Sequence, residues 1–256
     1  TLSDHHFMLQ SSVVRVSSLK ATETRLDLMI HVLTVTGIFA GMASLISVLD
    51  NSPSSAIVWM MIAVAIDGID GPIARKWMSA SLAPRFDGFI LDLVIDYATC
   101  VIVPCAFMWQ FGVVTHGLSG QLAIAAVLGS SAMWFSQTKG ESDDHWFSGF
   151  PAAWNLVVPT LWILDGDTTL NVVIALAISW LTLSKVEFPH TIKVKRFRIP
   201  NVIASTIWMV SMIYFSFKVP NVGRIASLVL FIGPITITTF VLIRIFEKRH
   251  TPLEVL

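Results

Sequence analysis

The sequence predicts an all-α polytopic membrane protein of about eight transmembrane helices, with both termini in the cytoplasm. Three observations predict it. The 256-residue chain is 54% hydrophobic and only 13% charged, with mean hydropathy +0.72, whereas an average soluble domain carries roughly 25% charge. Apolar runs recur at 28–48, 56–75, 88–111, 118–136, 150–164, 169–185, 201–217 and 225–245, most of them close to the ~20 residues with which a helix spans a bilayer. Fifteen of the seventeen Lys and Arg residues fall in the connections on one side of these runs, leaving Lys218 and Arg224 opposite. An excess of positive charge marks the cytoplasmic side.

Residues 1–27 mix apolar positions with Arg15, Lys20 and Arg25, as in a juxtamembrane helix lying on the cytoplasmic membrane surface or a flexible cytoplasmic lead-in, and the first thirty residues lack the pattern of a removable signal peptide. An integral domain over 28–246 follows. The first span carries Gly37, Gly41 and Ser44 one turn apart, a small-residue stripe suited to close helix contact. Spans two and three hold the acidic residues taken up below. Cys100 and Cys105 share the third span at a spacing that fits neither metal binding nor a disulfide, and read as packing residues. Asp143 and Asp144, in the loop after span four, read as solvated. The boundary between the fifth and sixth spans is the weakest, because both runs are short. Gly233-Pro234 predicts a bend in the last span, and 247–256 is a cytoplasmic tail. A net charge of zero gives no bulk basic field for nucleic acid.

The chemistry is expected at DGIDGPIARKWMSASLAPRFDGFILDLVID, residues 67–96. Asp67 and Asp70 are three apart and share a helix face, while Gly88, Asp92 and Asp96 are spaced by four and form one stripe. Four carboxylates in mid-membrane helices cost about 10–14 kcal/mol if uncompensated, and neither 56–74 nor 88–110 contains a Lys or Arg to compensate them. Divalent cations do so: carboxylates without soft ligands suit Mg²⁺ or Mn²⁺, and a pair of such ions is a recurrent device of phosphoryl displacement. Gly71, Ala74 and Gly88 keep the same faces nearly free of side chains, so something large approaches the backbone there. Arg75 could hold a phosphate or orient an acid.

Read together, DxxDGxxAR(x12)GxxxDxxxD resembles the signature of the CDP-alcohol phosphotransferases, with Asp67, Asp70, Gly71, Ala74, Arg75, Gly88, Asp92 and Asp96 at its eight defining positions. Common members have eight residues between the Arg and the second Gly. The twelve here are similar to the bacterial phosphatidylcholine synthase branch, as are GFPAAWN at 149–155, FPHTIKVKRFR at 188–198 and the eight-span layout around a six-helix core. The resemblance implies two divalent cations, Mn²⁺ or Mg²⁺, bound by Asp67, Asp70, Asp92 and Asp96, with Asp96 also the general base. It implies a CDP-diacylglycerol site formed by Asp67, Asp70, Gly71, Ala74, Arg75 and Gly88, choline as acceptor, a homodimer, and residence in the bacterial inner membrane with the active site facing the cytoplasm.

A quaternary ammonium cannot donate a hydrogen bond and is best held by aromatic faces, with an acid nearby. Tyr97, Trp134, Trp146, Trp154 and Glu187 lie near the expected cytoplasmic ends and are candidates, although Trp and Tyr also gather at membrane boundaries for reasons of packing. Lys193, Lys195, Arg196 and Arg198 are candidates for lipid phosphates, or simply mark topology. His31, His116, His145 and His190 sit at no motif position and read as structural or solvated. Two alternatives stand beside this reading: the same motif serving serine, inositol, inositol phosphate or glycerol phosphate, and an ion- or proton-coupled transporter using the intramembrane acids. The transporter explains the acids but not the small residues and Arg75 in fixed relation to them.

Overall fold

A computed structural model describes residues 34–77, 87–137 and 140–250. The juxtamembrane segment 1–27, His31, Arg85, Lys139 and the end of the tail lie outside the described residues. Their order is α1 (Thr34–Leu49), α2 (Pro53–Trp77), α3 (Gly88–Asp96), a π-helical turn over Tyr97–Ile102, α4 (Val103–Gln110), α5 (Leu118–Phe135), β1 (Trp146–Ser148), α6 (Trp154–Ile163), α7 (Thr168–Thr182), β2 (Glu187–Pro189), α8 (Arg198–Ser216), α9 (Arg224–Leu230) and α10 (Ile232–His250).

Among the described residues, four helical stretches, Gly88–Gln110, Leu118–Phe135, Arg198–Ser216 and Leu228–Arg249, are long and apolar enough to cross a membrane. Four more apolar helical stretches, Thr34–Leu49, Pro53–Ile69, Trp154–Ile163 and Thr168–Thr182, are shorter over the described residues. Each falls within or upon one of the eight runs read from the sequence, and the fifth and sixth are indeed the short pair. The chain is thus a predominantly helical membrane protein.

Most helices show little difference in polarity around their circumference, which is what a lipid-embedded bundle requires: large apolar side chains such as Phe39, Leu118, Trp180 and Ile199 are exposed, while the interior is filled by Ile57, Met60, Phe107, Met108, Trp154 and Met212. Small and polar residues line the helix contacts. Ser44 Oγ donates to the Ala56 carbonyl, tying α1 to α2, and Ser54 Oγ donates to the Ser216 carbonyl, which joins the start of α2 to the end of α8. The Trp208 indole donates to Thr160 Oγ1 and the Trp154 indole to Ser131 Oγ, so neither buried N–H is wasted. The bend expected from Gly233-Pro234 is a break at Phe231, between α9 and α10.

One feature the sequence reading did not anticipate is a two-stranded antiparallel ribbon in which Trp146 faces Pro189 and Ser148 faces Glu187. It draws together the two polar connections flanking α6 and α7. Gly149 makes this possible: its φ is +84°, and a Cβ there would lie 2.0 Å from the Thr182 carbonyl oxygen, so only glycine lets the chain turn against the end of α7.

Candidate active site

The acidic stripe of α3 begins at a well-formed helix start. Asp87 caps it, its Oδ1 accepting from the amides of Phe89 (2.9 Å) and Ile90 (3.3 Å), which places Gly88 at the first helical position. Asp92 and Asp96 follow at one-turn intervals and meet Asp67 of α2. One ligand oxygen from each of these three carboxylates lies within 4.8 Å of the others. Asp67 is exposed, and Asp92 and Asp96 are half-buried. They share a cleft with Ile66, Ile95 and Thr99 and with Thr34 and Gly37 of α1. Asp70, Gly71, Ala74 and Arg75 ride on the last turns of α2, and their side chains lie outside the described residues.

Three carboxylates this close repel one another except as protons or positive charge offset them. Hard oxygen donors without a thiolate or imidazole among them fit Mg²⁺ or Mn²⁺, so the donor set matches the ions expected from the sequence. The small-residue stripe of α1 serves the same cleft. Gly37 faces Ile95 and Ile66, and at Gly41 a Cβ would stand 2.7 Å from Thr99 Cγ2, so α1 lies directly against the segment that carries Asp96.

Immediately after Asp96 the helix widens into the π-helical turn Tyr97–Ile102. Pro104 is the sequence-level cause: in an α-helix its ring would press on the Cys100 carbonyl and leave it without a donor, and an inserted π turn relieves this. Cys100 is half-buried and Cys105 buried, in line with a packing role. Cys100 also accepts a hydrogen bond from Asn155 Nδ2 at 3.1 Å. Neither Pro104 nor Asn155 was singled out from sequence, although a proline and an asparagine inside apolar runs are the available signals.

The choline candidates do not converge as one group. Tyr97 donates to the Leu128 carbonyl (3.1 Å), and its ring meets Phe135 edge-on, 6.0 Å between centroids. Phe135 meets Trp134, Trp134 meets Phe147, and Phe147 stacks on His190, forming an aromatic run that starts beside Asp96. Trp154 is fully buried. Trp146 is buried beneath Arg244, whose guanidinium lies 4.9 Å from its ring centre. Glu187 is held by Arg244 Nε (2.7 Å) and by Lys248.

Of the basic candidates, Lys193 pairs with Glu141 at 2.9 Å, Arg196 pairs with Glu247 and covers Phe197, Arg198 donates to the Ile192 carbonyl, and Lys195 is exposed. Burial pushes the Glu187 and Glu141 carboxyls upward, but the hydrogen bonds from Lys248 and Arg244 to the first, and from Lys193 and His145 to the second, outweigh it and hold both below the usual carboxylate range. Asp144 is more than solvated: Arg244 reaches it from α10 at 2.7 Å. His116 bonds to the Trp109 carbonyl and His145 to Glu141, both structural uses.

No protein-family model matches the chain. Curated relatives do. The chain is 34% identical over 182 residues to the phosphatidylcholine synthase of Pseudomonas aeruginosa, covering 71% of this chain and 76% of that one. It is 34% identical to the phosphatidylcholine synthase of Agrobacterium fabrum, covering 70% and 74%, and 34% identical to that of Rhizobium meliloti, covering 72% and 76%. With three of its four signature carboxylates, Asp67, Asp92 and Asp96, meeting across α2 and α3, the chain is an enzyme of the CDP-alcohol phosphotransferase type and belongs to the phosphatidylcholine synthase family.

Proposed function

We propose that the protein condenses CDP-diacylglycerol with choline to give phosphatidylcholine and CMP. The meeting of Asp67, Asp92 and Asp96 within 4.8 Å, in a chain whose relatives carry that name, is the observation that supports it. Asp67, Asp70, Asp92 and Asp96 hold two divalent cations, Mn²⁺ or Mg²⁺, which when bound neutralise charge on the diphosphate and on the leaving phosphate. Gly71, Ala74 and Gly88 leave room for the cytidine, and Arg75 braces a phosphate or Asp70.

Asp96 accepts the proton of the choline hydroxyl as its oxygen forms a bond to the phosphorus bearing the diacylglycerol, and the bond from that phosphorus to the CMP oxygen breaks. Positioning and electrostatics then supply most of the rate. The aromatic run from Tyr97 through Phe135 to Trp134 supports a choline site on that side of Asp96. Trp146, Trp154 and Glu187 complete the candidate set, and there the ammonium would have to displace Arg244 or open the packed core. Lys195 and Arg198, with Lys193 and Arg196 once released from their acidic partners, meet lipid phosphates. All eight apolar helices span the bacterial inner membrane, the termini and active site face the cytoplasm, the lipid enters sideways from the leaflet, and two copies associate.

Purified protein in detergent and lipid, given CDP-diacylglycerol and labelled choline with Mn²⁺, should place label in lipid. Chelator should abolish it, and Asp96→Asn should lower turnover at least ~100-fold. Label from serine or inositol but not from choline would overturn the acceptor. No turnover of the CDP-lipid with any alcohol, in folded protein, would overturn the phosphotransfer reading and favour ion-coupled transport.

A further inference from the structure

We infer that Asn155 is a positioning residue for Asp96, acting through the π-helical turn that separates the acidic helix from α4. The inference rests on the proposed phosphotransfer reading and assigns a role to three contacts that reading leaves unused.

A π turn carries one more residue per hydrogen-bonded ring than an α turn; here Val103 N–H reaches back five residues to the Ala98 carbonyl. Each α-helical residue turns the chain by about 100°. If the inserted residue were absorbed, α3 and α4 would rotate relative to one another by about that angle. Asp92 and Asp96 would then turn together away from Asp67, which stands on a different helix. The register of this turn therefore decides whether the three carboxylates meet. Pro104 favours a π turn locally, and contacts from the neighbouring helices add to what holds its register.

Three helices grip it. From α5, the Leu128 carbonyl accepts from the Tyr97 hydroxyl. On α1, Gly41 makes room for Thr99, whose hydroxyl is turned back onto the Ile95 carbonyl at 3.0 Å. From α6, Asn155 Nδ2 donates to Cys100 Sγ. Asn155 is only 2% exposed, and an amide in such an interior costs free energy unless it is hydrogen-bonded. It lies 55 residues from Cys100 in sequence, so the bond is purely tertiary. Cys100 is one helical turn beyond Asp96, and Thr99 beside it lines the acidic cleft. Pro104 makes the π turn favourable, and these anchors hold it in one register.

The test compares the wild type with Asn155→Ala, Cys100→Ala, the double variant and Cys100→Ser, which keeps an acceptor for the amide. Mn²⁺ affinity is read from the electron paramagnetic resonance of the free ion at equilibrium, kcat and KM for choline from CMP release, and folding from thermal unfolding in detergent. Asn155→Ala and Cys100→Ala should each weaken Mn²⁺ binding about fivefold and lower kcat about tenfold. The double variant should be no worse than the poorer single, and Cys100→Ser should stay close to wild type. Loss of thermal stability with Mn²⁺ affinity and kcat unchanged, or losses that multiply in the double, would show a merely structural bond and overturn the inference. If Asn155→Ala does not fold, Tyr97→Phe deletes one oxygen from a second anchor, and an unchanged Mn²⁺ affinity there would count equally against it. The wild-type arm judges the underlying reading separately: Mn²⁺ binding with another alcohol as acceptor leaves the inference standing, whereas a wild type that binds no Mn²⁺ removes both.

Discussion

Replacing Gly41 by alanine tests how closely the first helix must lie on the acidic one. The added Cβ would stand 2.7 Å from Thr99 Cγ2, where carbon atoms normally rest about 3.5–4.0 Å apart. Roughly 1 Å must be found. Thr99 cannot swing aside freely, because it is buried and its hydroxyl is engaged by the Ile95 carbonyl; rotation forfeits a bond worth about 0.5–1.5 kcal/mol. The other route is to push α1 outward, and overpacking of this kind costs about 1–3 kcal/mol. At Gly37 the same methyl would meet Ile95 Cγ2 at 3.4 Å and Ile66 Cγ2 at 3.9 Å, which the site tolerates, while alanine is favoured over glycine in a helix by about 0.8–1.0 kcal/mol.

Thermal unfolding in detergent should therefore separate two chemically identical changes: Gly41→Ala destabilises by up to about 2 kcal/mol net, and Gly37→Ala is neutral or stabilising. Adding Thr99→Ser, which deletes the offending methyl, should restore most of the loss at Gly41. Equal effects at the two glycines, or no rescue by Thr99→Ser, would refute the contact as the reason for glycine at position 41.

The polar cap supplies two further tests. Arg244→Gln leaves Glu187, 18% exposed like Arg244 itself, with Lys248 as its cationic partner, releases Asp144 and uncovers Trp146; a loss of about 1–2 kcal/mol is expected, below that of a fully buried pair because Lys248 and water still reach the carboxylate, and Arg244→Lys should not repair it, since an ammonium lacks the fork that serves both acids. A thermal midpoint unchanged in Arg244→Gln would dismiss the network as decoration. Glu187 and Glu141 have lowered pKa values in the folded state, so their contribution is complete above the ordinary carboxylate value near ~4.3 and is lost as pH falls through the lower folded values. The protection of amides in the β1–β2 ribbon, taken relative to the intrinsic exchange rate at each pH, should accordingly stay constant from pH 7 to about 5 and fall only below about 4; a fall already near pH 6 would assign the cap's stability to other groups.

Local spacing along the chain was sufficient to identify the eight apolar segments, because a helix that meets lipid must be apolar over its length whatever its neighbours are. It also placed Asp92 and Asp96 on one face, since that depends only on 3.6 residues per turn. The convergence of Asp67 with them was expected from sequence but decided by the packing of α2 on α3, which a one-dimensional pattern does not contain. The small stripe at Gly37 and Gly41 was legible as a contact surface, yet its partner, the segment Ile95–Thr99, was not. Aromatic and acidic residues read as a common choline set from their positions near the helix ends were dispersed by the fold: Trp154 into the core, Trp146 under Arg244, and Glu187 into an ion-pair network with α10. Asn155 looked like one more residue of a motif, because a hydrogen bond 55 residues long leaves no trace in either segment alone. Sequence determined which residues lie on which helix face, a matter of local geometry; tertiary structure decided which faces meet, because that depends on side-chain volume, on where glycine lets two backbones touch, and on which buried polar groups must find partners.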